Sequence, residues 1–209
     1  MTSTLKKRLR KYLVMGSQNC KSNPVNTLES AIAGGITAFQ YREKGENALT
    51  GDAKLHLGKQ LRETCHRHNV LFIVNDDIDL VRPLDADGIH VGQDDKSVQE
   101  IRKSFPDKII GLSVSNTREV TNSPINMVDY LGAGPIFSTN TKADAKTPVG
   151  VEWVKTLRKE FPNLPIVGIG GINTQNATSV IQSGADGVAI ISAITQALNI
   201  TEVVNDLKF

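Results

Sequence analysis

Cations beside an amide, and carboxylates directly after apolar runs, recur at short spacing in this sequence. Gln40-Tyr41-Arg42-Glu43-Lys44 follows the apolar Ala38-Phe39. Alternate residues of an extended chain share a face, so Gln40, Arg42 and Lys44 point the same way. Arg offers a planar fork and Lys a point charge, a set that suits a multiply charged anion; a solvated strand end is the other reading. Asn75-Asp76-Asp77 follows Leu71–Val74, and Gly92-Gln93-Asp94-Asp95 follows Ile89-His90-Val91. Asp is favoured at helix N-caps, the role expected of Asp77 and Asp94. Asp76 and Asp95 are instead candidates for Mg²⁺, which takes one or two carboxylates plus phosphate oxygens and water; the cations one strand away favour that reading.

Two further segments suit phosphate. Gly168-Ile169-Gly170-Gly171-Ile172 ends an apolar run, and Ile191-Ser192 ends the next. Backbone N–H groups of a glycine turn, with the start of a short final helix, make an anion site, the most specific reading of these segments; a tight turn needing positive φ is the alternative. Ser138-Thr139-Asn140-Thr141-Lys142 opens a long polar loop reaching Pro148, suited to a mobile lid that could bring Lys142 to a leaving phosphate, although a lone lysine on a loop is more often solvated. The four histidines form no triad: His56, His66 and His68 fall on one helical stretch, and His90 reads as a packed strand residue.

These segments need elements that bring them to one place. Strands are expected at Tyr12–Met15, Ala38–Arg42, Leu71–Val74, Gly88–Val91, Ile109–Ser113, Tyr130–Gly134, Ile166–Ile169 and Gly187–Ile191. Amphipathic stretches lie between them, among them Asp52–His66 and Gly150–Phe161. Eight strand signals alternating with helical ones imply right-handed βαβ units and a parallel sheet. In 209 residues they close most simply into one α/β domain, a (β/α)8 TIM barrel over 1–209, with an open doubly wound sheet as the alternative. Ala86-Asp87-Gly88-Ile89 recurs as Ala185-Asp186-Gly187-Val188, and Gly34-Gly35-Ile36-Thr37-Ala38 has a related cadence. Each is expected to mark a helix ending at glycine on the N-terminal, stabilising face, leaving the chemistry to the opposite rim.

Composition excludes several classes. A hydrophobic share of 39% with 22% charged residues argues against disorder, and a net charge of +2 is too small to point to nucleic acid. No apolar run approaches the ~20 residues of a membrane span. Lys6, Lys7, Arg8, Arg10 and Lys11 precede an apolar run of only Tyr12–Met15, too short for a secretory core, so a basic helical turn leading into the first strand is expected. Cys20 and Cys65 have neither metal nor disulfide spacing, which makes a reducing cytoplasm the simplest compartment. Small molecules are the expected partners, and a homo-oligomer is left open.

Taken together, these motifs and Gly111-Leu112-Ser113 resemble the thiamine phosphate synthase family from Tyr12 to about Ile194. The resemblance implies Mg²⁺-dependent coupling of hydroxymethylpyrimidine diphosphate with thiazole phosphate, releasing diphosphate. It implies that Gln40, Tyr41, Arg42, Glu43, Lys44, Asn75, Ser113 and Lys142 bind the pyrimidine diphosphate. Arg42, Lys44, Ser113 and Lys142 would serve catalysis, and Asp76 and Asp95 would hold Mg²⁺. Thr139, Asn140, Thr141, Gly171, Ile191 and Ser192 would contact substrate around the thiazole phosphate. One departure stands out: many members carry a histidine two residues after the serine equivalent to Ser113, where this chain has Ser115. The rival is a thiazole tautomerase-like paralogue, which shares the thiazole phosphate turn but lacks the diphosphate and metal groups. A phosphosugar isomerase needs an acid/base pair that nothing outside the proposed metal site supplies. A ligand-binding regulator with a degenerate site is disfavoured by the full motif set.

Overall fold

The computed structural model describes residues 2–139 and 147–209. Eight strands form a closed, all-parallel barrel: β1 (Lys11–Met15), β2 (Ala38–Tyr41), β3 (Leu71–Asn75), β4 (Gly88–Val91), β5 (Ile109–Val114), β6 (Tyr130–Ala133), β7 (Ile166–Ile169) and β8 (Gly187–Ile190). Closure is set by β1 pairing with β8, Tyr12 opposite Ala189. The helices are α1 (Thr2–Arg8), α2 (Pro24–Ala33), α3 (Gly51–Arg67), α4 (Val98–Ser104), α5 (Thr117–Asn122), α6 (Gly150–Glu160), α7 (Ala177–Gln182), α8 (Ser192–Thr195) and α9 (Ile200–Asn205). The expected barrel is present with one reduced unit: between β3 and β4 the chain makes only a 3-10 turn, Ile78–Leu80. Among the described residues no helix is long and apolar enough to cross a membrane.

Strand alternation divides the apolar residues into two cores. Leu13, Met15, Phe39, Tyr41, Phe72, Val74, Ile89 and Leu112 point outward under the helices. Tyr12, Val14, Ala38, Leu71, Ile73, Tyr130, Val167 and Ala189 fill the barrel interior. The basic N-terminus is the expected helix, and it closes the bottom of the barrel. Leu9, fully buried, joins the interior core. Its cations are tied down: Lys6 pairs with Asp186 at 3.2 Å, Lys11 Nζ donates to the Val204 carbonyl at 2.8 Å, and Arg10 Nε donates to the Phe209 carbonyl at 3.1 Å.

The recurring Asp-Gly pairs lie on the N-terminal face as expected, but their glycines do not end helices. Gly88 and Gly187 are the first residues of β4 and β8. The residue before each even strand accepts the first free N–H of the preceding odd strand. Thr37 Oγ1 accepts from Lys11 N at 3.0 Å, Asp87 from Phe72 N at 2.8 Å, Asp129 from Ile110 N at 2.8 Å and Asp186 from Ile166 N at 2.9 Å. The aspartates also meet an arginine of the helix that precedes the odd strand: Arg62–Asp87 at 3.7 Å, Arg102–Asp129 at 2.6 Å and Arg158–Asp186 at 2.5 Å. Arg102 and Arg158 further bind carbonyls of the loops leaving α4 and α6. Their context repeats in sequence, Ile101-Arg102-Lys103-Ser104-Phe105-Pro106 against Leu157-Arg158-Lys159-Glu160-Phe161-Pro162, a two-unit echo more telling than the Asp-Gly cadence.

Candidate active site

At the C-terminal rim one cavity is lined by Arg42, Lys44, Asn75, Asp76, Asp95 and Ser113 on one side and by Thr139, Gly170, Gly171, Ile191 and Ser192 on the other. The inward parity that places Tyr12 and Ala38 in the interior core carries on to Gln40 and Arg42, to Ile73 and Asn75, and to His90 and Ser113. Gln40 is buried below the cavity floor, 4% exposed.

Two of the residues in the Gln40–Lys44 run face away from the cavity. Tyr41 lies on the outward face, fully buried, and its hydroxyl donates to the Lys54 carbonyl at 2.9 Å. Glu43 turns into the protein: Oε1 accepts from Ser17 Oγ at 2.5 Å and Leu49 N at 2.7 Å, and Oε2 from Ser17 N at 2.8 Å. It ties the loop after β1 to the loop after β2. Gln18 reinforces that tie, its amide nitrogen donating to the carbonyls of Arg42 at 3.0 Å and Lys44 at 3.1 Å. The resemblance assigned Tyr41 and Glu43 to substrate; here they hold the backbone that presents Arg42 and Lys44. Strand parity by itself marks Tyr41 as outward, whereas Glu43 lies beyond the end of β2 and the partners Ser17 and Gln18 come from another loop.

The carboxylates converge. Lys44 Nζ lies 2.5 Å from Asp76 and 3.7 Å from Asp95. Asp76 has the opposite parity to Asn75 and reaches the rim because its backbone adopts φ 57°, a left-handed conformation uncommon outside glycine. Asp95 Oδ2 accepts from Gly92 N at 2.8 Å. Burial and the hydrogen bond shared with Asp95 push the Asp76 carboxyl above its ordinary range. Burial acts in the same sense on Asp95, but the hydrogen bonds from Asp76 and the Gly92 N–H, with the charge of Lys44, hold it below. The bond to Asp76 in turn raises Lys44. Two close carboxylates favour positive charge between them, and the lysine ammonium already supplies some of it. Among the described residues no group of three or more His, Cys, Asp or Glu is placed to hold a metal ion. Two carboxylates alone suit a hard cation that completes its shell with substrate oxygens and water.

The neighbouring acids do not cap as expected. Asp77 precedes the 3-10 turn without a capping bond and pairs instead with Lys54 at 2.8 Å. Asp94 is displaced from that role by Ser97, whose hydroxyl accepts from Glu100 N at the start of α4. Ser115 is buried and receives Glu119: its N–H and hydroxyl both donate to that carboxylate at 2.8 Å.

On the far side, Gly170 has φ 101° and Gly171 φ 63°, conformations that favour glycine. A Cβ at Gly171 would also run into the Ser138 carbonyl and lie 2.8 Å from Phe137 Cβ. Ile191 and Ser192 form the start of α8 and border a second, shallower cavity with Thr139 and Gly171. Asn140, Thr141 and Lys142 lie outside the described residues.

His90, set aside as a packed strand residue, stands in the cavity wall, with Nε2 at 2.8 Å from Ser113 Oγ and Nδ1 at 2.9 Å from Tyr130 OH. Its inward parity in Gly88-Ile89-His90-Val91 was the available signal. The outer histidines stay away: His56 and His66 lie on α3 and His68 caps its end.

The thiamine monophosphate synthase model matches residues 11–194. This chain belongs to that family. It is 58% identical to the thiamine-phosphate synthase of Oceanobacillus iheyensis over 97% of this chain and 98% of the relative. It is 50% identical to thiamine-phosphate synthase 1 of Streptococcus pneumoniae, with the same shares covered. Among solved structures, thiamine phosphate pyrophosphorylase from Pyrococcus furiosus superposes with a TM-score of 0.85 at 32% identity, covering 97% of this chain and 95% of that one. The family model starts and stops within a residue of the stretch that the motifs span, so each rim cluster falls inside it.

Proposed function

We propose that the protein is a thiamine-phosphate synthase, a transferase that joins hydroxymethylpyrimidine diphosphate to thiazole phosphate and releases diphosphate. One observation carries the reading: a single rim cavity has a cation–carboxylate cluster on one wall and a glycine turn with Ser192 on the other. A tautomerase acting on one phosphate monoester has use for the glycine turn alone. The names of the relatives point the same way.

In this reading the pyrimidine diphosphate takes Gln40, Arg42, Lys44, Asn75, Ser113 and Lys142, and the thiazole phosphate takes Thr139, Asn140, Thr141, Gly171, Ile191 and Ser192. Asp76 and Asp95 would hold Mg²⁺, which neutralises diphosphate charge when bound. The nucleophile is a neutral ring nitrogen, so no strong base is required. Diphosphate departs as the bond to the pyrimidine methylene breaks, and the thiazole nitrogen forms the new bond to that carbon. Arg42, Lys44 and Lys142 stabilise the growing negative charge, and the opposed walls align the two substrates. The free thiols of Cys20 and Cys65 fit a cytoplasmic enzyme.

The test is an assay with both phosphorylated halves, quantifying diphosphate and coupled product together. The expected result is one diphosphate per product, and none when either half or Mg²⁺ is omitted. Isomerisation of a thiazole carboxylate phosphate without Mg²⁺, and no coupling, would replace this reading with the tautomerase.

A further inference from the structure

The interior of a barrel of this type is ordinarily filled by layers of branched apolar side chains. Here Tyr12, Gln40, His90 and Tyr130, none more than 8% exposed, stand among them. They form one continuous chain. Gln40 Nε2 donates to Tyr12 OH at 2.9 Å, Tyr12 OH lies 3.0 Å from Tyr130 OH, Tyr130 OH lies 2.9 Å from His90 Nδ1, and His90 Nε2 lies 2.8 Å from Ser113 Oγ. The backbone makes room for it. A Cβ at Gly111 would strike the Tyr130 ring and His90 Nδ1, and one at Gly132 would lie 3.0 Å from His90 Cε1. Glycine inside a strand weakens it, so two such positions against the same rings mark a close approach that the fold retains at a cost.

Phenylalanines at 12 and 130 would fill nearly the same volume without burying two hydroxyls, each of which needs a partner in this setting. Burial raises both phenols well above their ordinary range, so they remain neutral donors. Each hydroxyl has one proton, and the direction of the whole chain follows from its first member. The amide nitrogen of Gln40 only donates, so the Tyr12 oxygen accepts and its proton goes to Tyr130. The Tyr130 proton then goes to His90 Nδ1, which leaves the imidazole proton on Nε2, facing Ser113 Oγ. The Ser113 proton is thereby turned away from the ring and into the cavity.

We infer that Tyr12 and Tyr130 are positioning residues that hold His90 as its Nε2–H tautomer and so present Ser113 as a hydrogen-bond donor to an acceptor atom of the pyrimidine substrate. The role of Ser113 rests on the synthase reading; the tautomer does not. The rim cations bind charge, and this chain orients one neutral contact from beneath the cavity floor.

The test pairs ¹⁵N NMR of histidine-labelled, ligand-free protein, with His90 assigned through a His90→Asn variant, with kinetics of Tyr130→Phe and Tyr12→Phe. In the unsubstituted protein, held at a pH where the ring is neutral, His90 Nδ1 should show an unprotonated shift and Nε2 a protonated one. Either tyrosine variant should move His90 toward a tautomer mixture. Each should weaken kcat/KM for the pyrimidine diphosphate about tenfold, with KM for thiazole phosphate unchanged, the loss expected for one mis-set hydrogen bond. Two variants guard against one that folds poorly. A proton found on Nδ1 in the unsubstituted protein overturns the inference, as do His90 shifts that neither variant moves. If the tautomer behaves as stated and no coupling activity exists, the synthase reading fails and the tautomer assignment stands.

Discussion

Asp76 combines a left-handed backbone with a carboxyl raised by burial beside a second acid, two features that each cost stability at an ordinary surface position, and a direct bond to Lys44 offsets part of that cost. They are worth keeping where a cation and a diphosphate complete the charge balance. Asp76→Asn and Asp95→Asn should each lower turnover by ~10² and raise the Mg²⁺ needed for half activity, with an unchanged circular dichroism spectrum. Wild-type rates at low Mg²⁺ in both variants would remove the metal assignment. The role proposed for Lys142 rests on its place in the polar loop of the sequence and on the family resemblance. If it meets the departing diphosphate, Lys142→Ala should reduce kcat by about 10²–10³ with a smaller change in pyrimidine binding. A raised KM with an intact kcat would mean ground-state anchoring. Gly171 is constrained twice, by its positive φ and by the Ser138 carbonyl. Gly171→Ala therefore displaces the segment at 137–138 as well as crowding any phosphate. The expected result is a several-fold rise in KM for thiazole phosphate, a smaller change for the pyrimidine diphosphate, and a backbone strain of ~1–2 kcal/mol visible in the thermal midpoint.

At the scale of the elements, the opposite end of the barrel does a different job. Asp186 accepts the first N–H of β7 and meets both Arg158 and Lys6, joining α1, α6, β7 and β8. Removing it leaves a strand donor and a guanidinium without their acceptor. Asp186→Ala should lower stability by ~1–3 kcal/mol in denaturant titrations while kcat/KM stays near the unsubstituted value, because the group lies a strand length from the rim. A loss of activity with unchanged stability would contradict this division of labour between the two ends. Asp87 and Asp129 repeat the arrangement, so their alanine variants should behave alike in kind, with Asp87 the milder on account of its longer ion pair.

For the whole molecule, the ring closes through β1 and β8, so the first and last strands depend on each other. We infer that residues 1–209 form one cooperative domain, with both substrate walls in the same unit. Calorimetry should then show a single transition. Saturating thiazole phosphate alone, or pyrimidine diphosphate with Mg²⁺ alone, should each raise its midpoint, by about 2.7 kcal/mol of stabilisation at a hundred times Kd. Two transitions, or a ligand that shifts only part of the signal, would show separable units.

Strand periodicity and the positions of the polar clusters were legible in the sequence because both are local. An inward-facing residue at a strand end recurs at every second position, and eight such runs leave few ways to close a parallel sheet. The pairing of Asp76 with Asp95 was also within reach, since neighbouring strand ends converge at a rim. Local pattern did not reveal which way a residue turns once regular strand geometry ends: Asp76 swings inward on a positive φ, Glu43 turns back to Ser17, and Asp94 yields the α4 cap to Ser97. Nor did it show that Asp87, Asp129 and Asp186 serve strands fifteen to twenty residues earlier in the chain. The buried chain from Gln40 to Ser113 joins five strands, and its members are up to 118 residues apart. Each of them, read alone, is an ordinary strand residue. Only closure of the barrel puts Tyr12 against Tyr130, because contact between the interiors of opposite strands is a property of the ring and not of any segment within it.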